Sequence, residues 1–296
     1  MSEKPEAHTP RFLAWLYATR SEQPVLAALC GIEREIGASL RPGVDHRVAH
    51  TRLEWWRAEC ERCAAGNPAH PLTRELLAGI EALAPGAAVH RALAGLPGLA
   101  EAAAWDLASA TFERRAQLTD YCRRWAAAMM APLGAAIAST EASTPGIGSG
   151  PGAGKPDLDW GEWGAALREI ELLGELARDA QHGRLRVPLD ELAREAIAPE
   201  ALAAPPWPLG LAAILRGRHR ALRRQLAAAV AALAPELQQS GRGLLVWTAL
   251  AWQGSVRAEH ALPHPPAASI AGAAAANFRA WRTARAAAGG RFRMRF

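Results

Sequence analysis

Residues 52–59 read RLEWWRAE, and HPLT follows at residues 70–73. The first stretch lies between a helix start near Asp45 and a stop at Gly66-Asn67-Pro68, so we predict a helix over residues 45–65. Adjacent tryptophans on a helix more often pack in a core than form a binding site. The stretch therefore predicts, first of all, a helix that takes part in a core.

The rest of the chain has the composition of a helical protein. Alanine and leucine dominate, β-branched residues are scarce, and half of the 296 residues are hydrophobic. No stretch alternates polar and apolar residues as a strand would. The sequence predicts an all-α fold, a single helical bundle with a sizeable core. We expect helices at about residues 11–19, 22–40, 45–65, 72–84, 86–94, 99–139, 159–182, from 189 onward, 209–234, 236–261 and 268–287.

Tails and loops divide the chain. Residues 1–10 are polar with two prolines, and we expect them to be disordered. The helical domain is expected over residues 11–262, with a flexible Gly/Ser/Pro-rich insertion at about residues 139–157. This insertion is not a phosphate-binding loop, because no strand precedes it and Pro156 stands where serine or threonine is needed. Residues 263–296 are expected to form a basic, alanine- and arginine-rich helix and tail.

The charge is modest overall but uneven. The net charge is +5 and the pI is about 9.5. No acidic residue follows Glu259, whereas six arginines do: Arg279, Arg282, Arg285, Arg291, Arg293 and Arg295. Such an end suits an anionic membrane surface or nucleic acid, and a solvated tail is the plainer interpretation. Between the two polyanions we expect the membrane rather than nucleic acid.

We expect neither a secretory leader nor a membrane span, because no uncharged apolar run reaches the roughly 18 residues that a span needs. The expected location is the cytoplasm, free or in peripheral contact with the inner face of the membrane. Cys60 and Cys63 form a C-x-x-C, but no second pair completes a zinc site. We therefore expect these cysteines to be packing residues.

A second group of short motifs lies in the C-terminal half. Its members are Leu118-x-x-Tyr121-Cys122, Gly164-x-Ala166, Leu172-Leu173, Asp179, Gly183-Arg184, Val187-Pro188 and Asp190-Glu191-Leu192. With RLEWWRAE and HPLT, they resemble motifs of the squalene/phytoene synthase superfamily. These are an R-L-x-W-W-R-x-E helix with a trailing H-P-[LV], then L-x-x-Y-C, then G-x-A…D-x-x-E-D…G-R-x-Y-x-P-x-D-E-L. The resemblance covers about residues 11–262 and implies an isoprenoid-synthase type of bundle with a central cavity.

The resemblance also implies a chemistry. The family joins two prenyl diphosphates head to head, and ionising a diphosphate requires Mg²⁺ bridged by carboxylates. Two aspartate-rich motifs on facing helices supply these carboxylates, spaced i and i+4 so that they project from one side of each helix. A largely apolar tunnel holds the isoprenoid tails. We therefore expect a prenyl diphosphate or a lipid as the ligand, and Mg²⁺ as the cofactor if the chain is active.

The second acidic motif is half kept. The family's D-x-x-E-D falls on residues 175–179, where Glu175 and Asp179 remain as candidate metal ligands. Arg178 replaces an acid beside them and is expected to neutralise Asp179. An ordinary solvated helix face is the alternative interpretation of equal weight.

The first acidic motif is lost. Its aspartate positions fall on Gly37, Ala38 and Arg41. None of these residues binds Mg²⁺, although a cation at Arg41 would favour a bare phosphate.

This pattern resembles a divergent branch of the family that lacks the aspartates, whose mitochondrial members are assembly factors for respiratory complex I. The resemblance implies a catalytically degenerate protein that binds an isoprenoid, a lipid or a protein partner in an assembly or accessory role. It makes Arg52, Arg57, Tyr121 and Arg184 candidates for contacts with substrate or phosphate. Trp56 and Arg57 would maintain the fold or a binding surface.

An active enzyme remains the main alternative. It would be a Mg²⁺-dependent prenyltransferase in which Glu33 and Glu35 join Glu175 and Asp179 as metal ligands.

An unrelated helical protein with a basic surface is the third hypothesis. The arginine-rich run at residues 216–224 could meet the phosphates of a prenyl diphosphate, lipid heads or nucleic acid, although an exposed helix face is the commoner explanation. His46 and His50 are spaced i and i+4 but lack a third metal ligand.

Overall fold

The computed structural model describes residues 4–7, 9–83, 86–142, 158–266 and 270–294. In these ranges the chain contains helices and no strand, which confirms the all-α prediction. Residues 143–157, most of the predicted insertion, lie outside them. The α-helices are α1 (Pro10–Tyr17), α2 (Glu22–Gly37), α3 (His46–Ala64), α4 (Pro71–Leu83), α5 (Ala87–Leu93), α6 (Gly98–Leu107), α7 (Arg115–Ala142), α8 (Trp160–Gly174), α9 (Leu176–Gln181), α10 (Leu189–Arg194), α11 (Leu209–Ala232), α12 (Pro235–Ser240), α13 (Arg242–Ala261) and α14 (Ile270–Ala288). None of the helices in the described ranges has the length and apolarity to cross a membrane.

Tryptophans lie at the centre of the bundle. Trp125 on α7, Trp163 on α8 and Trp247 on α13 are fully buried. The rings of Trp125 and Trp247 meet edge to face, with centroids 5.9 Å apart. The indole N–H of Trp163 donates to the Thr248 hydroxyl at 2.9 Å, so this buried ring leaves no polar atom unpaired. Helices α7, α8 and α13 form the inner layer, on which α1, α2, α11 and α14 pack.

Helix α8 approaches α7 closely at Gly164. A Cβ atom at this position would overlap Met130 and would lie 2.7 Å from the Cβ of Ala126. Only glycine fits there without displacing α7. The glycine of the G-x-A motif is therefore required by helix packing.

Three helices predicted as continuous are interrupted. The breaks lie at residues 108–114, at Glu175 and at Gly241, and they separate α6 from α7, α8 from α9 and α12 from α13. At the first break the indole N–H of Trp105 donates to the Ala110 carbonyl at 3.0 Å. None of the breaks contains a proline, so the sequence lacks the strongest stop signal at these points.

The RLEWWRAE stretch lies in α3 and is anchored by the buried carboxylate of Glu59. The backbone N–H groups of Ala69 and His70 donate to Glu59 at 2.8 Å each. The Arg62 guanidinium and the Thr73 hydroxyl donate to the same carboxylate. Burial opposes ionisation, but these hydrogen bonds hold the pKa of Glu59 below its ordinary value. The glutamate of the motif thus ties α3 to the start of α4.

Trp56 and His70 cover the same joint. Their ring centroids lie 4.8 Å apart, and Trp56 is buried as the sequence predicts. Trp55, in contrast, is 45% exposed on the outer side of α3. RLEWWRAE and HPLT are therefore one structural unit.

Thr19 and Glu22 form a capping box at the start of α2. The Glu22 N–H donates to the Thr19 hydroxyl at 3.3 Å, and the Thr19 N–H donates to Oε2 of Glu22 at 3.1 Å. The Oε1 atom of Glu22 is buried without a hydrogen-bond partner. Burial raises the pKa of Glu22 to about 7, although the hydrogen bonds with Thr19 and the charge of Arg242 lower it.

We expect Gly164→Ala to destabilise the protein by about 1–3 kcal/mol, the usual cost of overpacking a core. Gly217→Ala is the matched control, because Gly217 lies inside α11 with no atom within 4 Å of its Cβ position. The control should be neutral or stabilise by up to about 1 kcal/mol. Urea unfolding followed by circular dichroism measures both, and equal stabilities would contradict the packing argument.

We expect ionisation of Glu22 to weaken the fold as the pH rises. Its folded pKa of about 7 is above its ordinary value of 4.5, so the folded state favours the protonated form. Stability should fall as the pH rises from about 4.5 to about 7 and level off above that range. Glu22→Gln lacks this loss, so its free energy of unfolding relative to wild type should rise by about 2–3 kcal/mol between pH 5 and pH 8. Parallel pH profiles of the two proteins in urea unfolding would refute this assignment.

Candidate functional site

A cavity of about 1600 Å³ opens into the bundle between α1, α2, α6, α7, α8, α9, α13 and α14. Most pockets for small molecules measure about 300–1000 Å³, so this one has room for a long ligand. Apolar residues such as Leu99, Ala103 and Leu250 line it together with many charged side chains. The predicted central cavity is confirmed.

Two arginines and two glutamates form an ion-pair cluster on the cavity wall. This cluster, here the four-residue cluster, consists of Arg11, Glu33, Arg168 and Glu171. Arg11 bonds to Glu33 and lies 2.7 Å from Glu171. The guanidinium of Arg168 lies 3.4 Å from Glu171 and 3.8 Å from Glu33. The cluster joins α1, α2 and α8 through charge.

Two buried tryptophans donate hydrogen bonds to the carboxylates of the four-residue cluster. The indole N–H of Trp125 donates to Glu33 at 2.8 Å, and that of Trp247 donates to Glu171 at 3.2 Å. The Arg11 guanidinium lies 5.6 Å from the Trp125 ring centroid and 5.2 Å from that of Trp247. Burial by itself would lower the pKa of Arg11, but Glu171 and Glu33 raise it above its ordinary value. Arg11 therefore stays positively charged in the cavity wall, paired with the carboxylates of Glu33 and Glu171.

A second group of side chains surrounds Asp179. This group, here the Asp179 cluster, consists of Asp106, Tyr121, Asp179, Arg184 and Arg186. Arg186 is buried and donates to Asp179 at 2.7 Å and to Asp106 at 2.6 Å. The Tyr121 hydroxyl donates to the other oxygen of Asp106 at 2.9 Å. Arg184 lies 3.3 Å from the second oxygen of Asp179. Both oxygens of Asp179 thus face guanidinium groups.

The pKa of Arg186 reflects this environment. Burial would lower its pKa, but Tyr121, Asp106 and Asp179 together raise it above the ordinary value. Arg186 stands at the tyrosine position of the G-R-x-Y pattern. A metal ion at Asp179 would have to displace a permanently charged side chain of the protein itself.

Glu175, the other candidate metal ligand, is half-exposed and pairs with Arg178. The expectation that Arg178 neutralises Asp179 is therefore wrong, because Arg184 and Arg186 do so. Within the described ranges, no group of three or more His, Cys, Asp or Glu side chains is placed to hold a metal ion. The residues of this site do not fit the Mg²⁺ clamp that the motifs imply.

The positions of the first motif lie where α2 ends. Gly37 and the exposed Arg41 line the cavity, whereas Ala38 does not. Of the two glutamates in the alternative hypothesis, Glu33 belongs to the four-residue cluster and Glu35 lies outside the cavity lining. The structure does not bring these two glutamates together with Glu175 and Asp179.

The candidate ligand contacts separate into two pairs. Tyr121 and Arg184 line the cavity within the Asp179 cluster. Arg52 and Arg57 lie on the exposed side of α3, outside the cavity lining, and Arg57 pairs with Glu61 at 3.0 Å. The positions of Arg52 and Arg57 therefore do not support contact with a ligand in this cavity.

The basic run at residues 216–224 is partly internal, unlike the exposed helix face expected for it. Arg218 is buried and pairs with Glu169 at 3.0 Å, and Arg223 is buried and bonds to Glu259. Arg220 and Arg224 are exposed. Two of the five arginines in this run are thus held in buried ion pairs rather than offering charge to a phosphate.

Sequence reasoning missed five residues of the two ion-pair clusters, three arginines and two acids. The missed residues are Arg11, Asp106, Arg168, Glu171 and Arg186. Arg186 carried a signal, because it replaces the motif's tyrosine two residues after Arg184. The others belong to no quoted motif, and their partners are distant in sequence.

We expect Arg186→Leu to destabilise the protein by about 3–5 kcal/mol, because it leaves Asp106 buried without a cation and Asp179 with Arg184 alone. The triple variant with Asp106→Asn and Asp179→Asn should recover part of the loss. Arg57→Leu is the control, because it removes an exposed pair worth less than about 1 kcal/mol. Guanidinium chloride would screen charges, so urea unfolding is the suitable measurement. Equal effects of Arg186→Leu and Arg57→Leu would contradict the assignment.

Comparisons with known proteins agree with the geometry. The sequence profile described as squalene/phytoene synthase matches residues 5–279. No curated protein matches the chain significantly. A crystal structure of a dehydrosqualene synthase in complex with a ligand superposes with a TM-score of 0.68 at 13% identity, covering 94% of this chain and 92% of that one. The squalene synthase HpnC from Alicyclobacillus acidocaldarius gives a TM-score of 0.59 at 18% identity, covering 81% of this chain and 84% of that one. At these identities the two structures establish the fold, and the profile match over nearly the whole chain establishes that this protein belongs to the squalene/phytoene synthase family.

Proposed function

We propose that this protein is a catalytically degenerate family member that binds an isoprenoid, a lipid or a protein partner in an assembly or accessory role. The observation that carries the proposal is the Asp179 cluster, in which both oxygens of the candidate metal ligand face arginines. Peripheral contact with the inner face of the membrane belongs to the same proposal.

The charge of the cavity favours an anion over a metal ion. Nine arginines and six carboxylates line it, an excess of three positive charges. A divalent cation entering this field would be repelled, whereas a phosphate or carboxylate group would be attracted. At the end of α2, Gly37 and Arg41 stand in place of acids, so this side of the cavity also favours an anion over a metal ion.

The apolar part of the lining supports a chain-like ligand. Leu99, Ala102 and Ala103 of α6 line one side, and Leu250 and Ala251 of α13 also contribute. A long apolar chain could lie along these residues with its polar end toward the arginines.

An active Mg²⁺-dependent prenyltransferase is the second candidate, favoured by family membership and by the half-exposed Glu175. In this alternative, substrate binding would have to release Asp179 from Arg184 and Arg186. The acids would then have to converge from positions at which the structure does not bring them together.

The test is incubation of purified protein with Mg²⁺ and farnesyl or geranylgeranyl diphosphate. We expect no diphosphate release and no C30 or C40 product. A thermal shift assay should detect binding of the same compounds, with equal shifts in Mg²⁺ and in EDTA, because arginines rather than metal recognise the anion. Turnover that Asp179→Ala abolishes would overturn the proposal in favour of the second candidate.

A pair of variants locates the ligand. Ala103→Phe fills the cavity lining on α6 and should abolish the thermal shift. Ala82→Phe adds the same ring at an exposed site on α4, outside the cavity, and should leave the shift unchanged. Equal shifts in both variants would mean that the ligand binds elsewhere.

A further inference from the structure

Helix α14 has its bulky side chains on the outside. Its inner face consists of small residues, and Ala280 and Ala284 pack against Leu13, Val246 and Leu250. Its outer face carries Phe278, which is 59% exposed, and Trp281, which is 46% exposed. A surface helix ordinarily places its large apolar residues on the core side. The inverted arrangement leaves aromatic surface that the described residues do not cover.

Arginines accompany these rings. Phe278 and Trp281 stack with centroids 5.8 Å apart. Arg282 lies 5.8 Å from the Phe278 centroid, and Arg285 lies 5.7 Å from the Trp281 centroid. We define the α14 face as Phe278, Arg279, Trp281, Arg282 and Arg285. It presents an aromatic centre with a cationic border.

The charge on this face is unbalanced. No acidic residue occurs after Glu259 in the whole sequence. Burial together with the nearby charges of Arg282 and Arg257 lowers the pKa of Arg279, as expected where cations crowd. An anionic partner would relieve this repulsion.

The cavity extends to the same helix. Gly272, Ala273, Ala276 and Arg279 of α14 belong to its lining, and Arg257 of α13 lies there too. A partner bound to the α14 face would therefore lie beside one end of the cavity. An apolar ligand could pass from that partner into the cavity without crossing bulk water.

We infer that the α14 face docks on an anionic lipid bilayer. Tryptophan and phenylalanine insert at the level of the headgroups, and arginines beside them bind lipid phosphates. A second copy of the chain would set the same arginines against each other across a two-fold axis. The rings already contact each other and the guanidiniums, an arrangement less suited to stacking on nucleic acid bases. Docking specifies the surface for the membrane contact that the proposed function includes, and the passage of a ligand rests on the ligand binding in that proposal.

Cosedimentation with vesicles tests the inference. The full-length protein should bind vesicles of phosphatidylcholine with about 30% phosphatidylglycerol far better than vesicles of pure phosphatidylcholine. Arg282→Ala with Arg285→Ala should weaken binding about 30-fold, since each basic residue near an anionic surface contributes about fivefold. Phe278→Ala with Trp281→Ala should weaken it on the order of tenfold or more.

Trp55→Ala is the matched control, because Trp55 is 45% exposed on α3, and it should bind as wild type does. Thermal unfolding of each variant verifies that it is folded. Equal binding by the Phe278/Trp281 variant and by the Trp55 variant would overturn the inference. So would dimerisation that these substitutions abolish, or binding to single-stranded DNA in preference to the anionic vesicles. Ligand binding in the thermal shift assay is a separate readout, so failure of ligand binding would leave the docking result standing.

Discussion

The pairing of guanidinium groups with carboxylates inside the cavity is the interaction on which the remaining architecture depends. A buried charge costs several kcal/mol unless a partner and hydrogen bonds compensate it. Glu33 comes from α2, Glu171 from α8 and Arg11 from α1, so the charges are compensated only when these three helices stay in register. Trp125 and Trp247 complete the compensation with indole N–H groups. The ion pairs between α1, α2 and α8 are therefore tied by hydrogen bonds to the aromatic core on α7 and α13.

Arginines here have the structural role that divalent cations have between facing acids, but the functional consequence differs. A metal ion can move with a departing diphosphate and stabilise its charge as it develops. A guanidinium is attached to the chain, carries one charge instead of two, and is already engaged with Asp179. The site can attract an anion, yet it provides less of the charge needed to ionise one. Because arginines supply less charge than metal ions would, the geometry suits binding of an anion better than its ionisation.

The sequence predicted the fold better than the site, and the reason lies in the range of the interactions. Gly164 belongs to a motif itself, and Glu59 acts through His70 and Thr73 of another, so both could be recognised as parts of a pattern. The helix breaks at Glu175 and Gly241 were not predicted, because neither contains a proline. The Arg11 pair with Glu171 joins residues 160 positions apart in the sequence, and no local periodicity reports such a contact. Arg178 was assigned the wrong partner because sequence proximity does not reveal that Arg184 and Arg186 turn back onto Asp179.

The ion pairs also explain why a cavity persists in the absence of the acidic motifs. Replacing a buried ion pair with apolar residues of similar volume is often neutral or stabilising, so stability alone does not require these charges. Larger apolar side chains would, however, pack together and close the space, whereas Arg168 and Arg184 each keep a buried Nε atom without a hydrogen-bond partner beside the opening. A cavity wall with unsatisfied donors is costly to keep empty and is relieved by an acceptor. The physical expectation is a cavity that an anionic group completes, with its apolar chain lying toward α6 and α13.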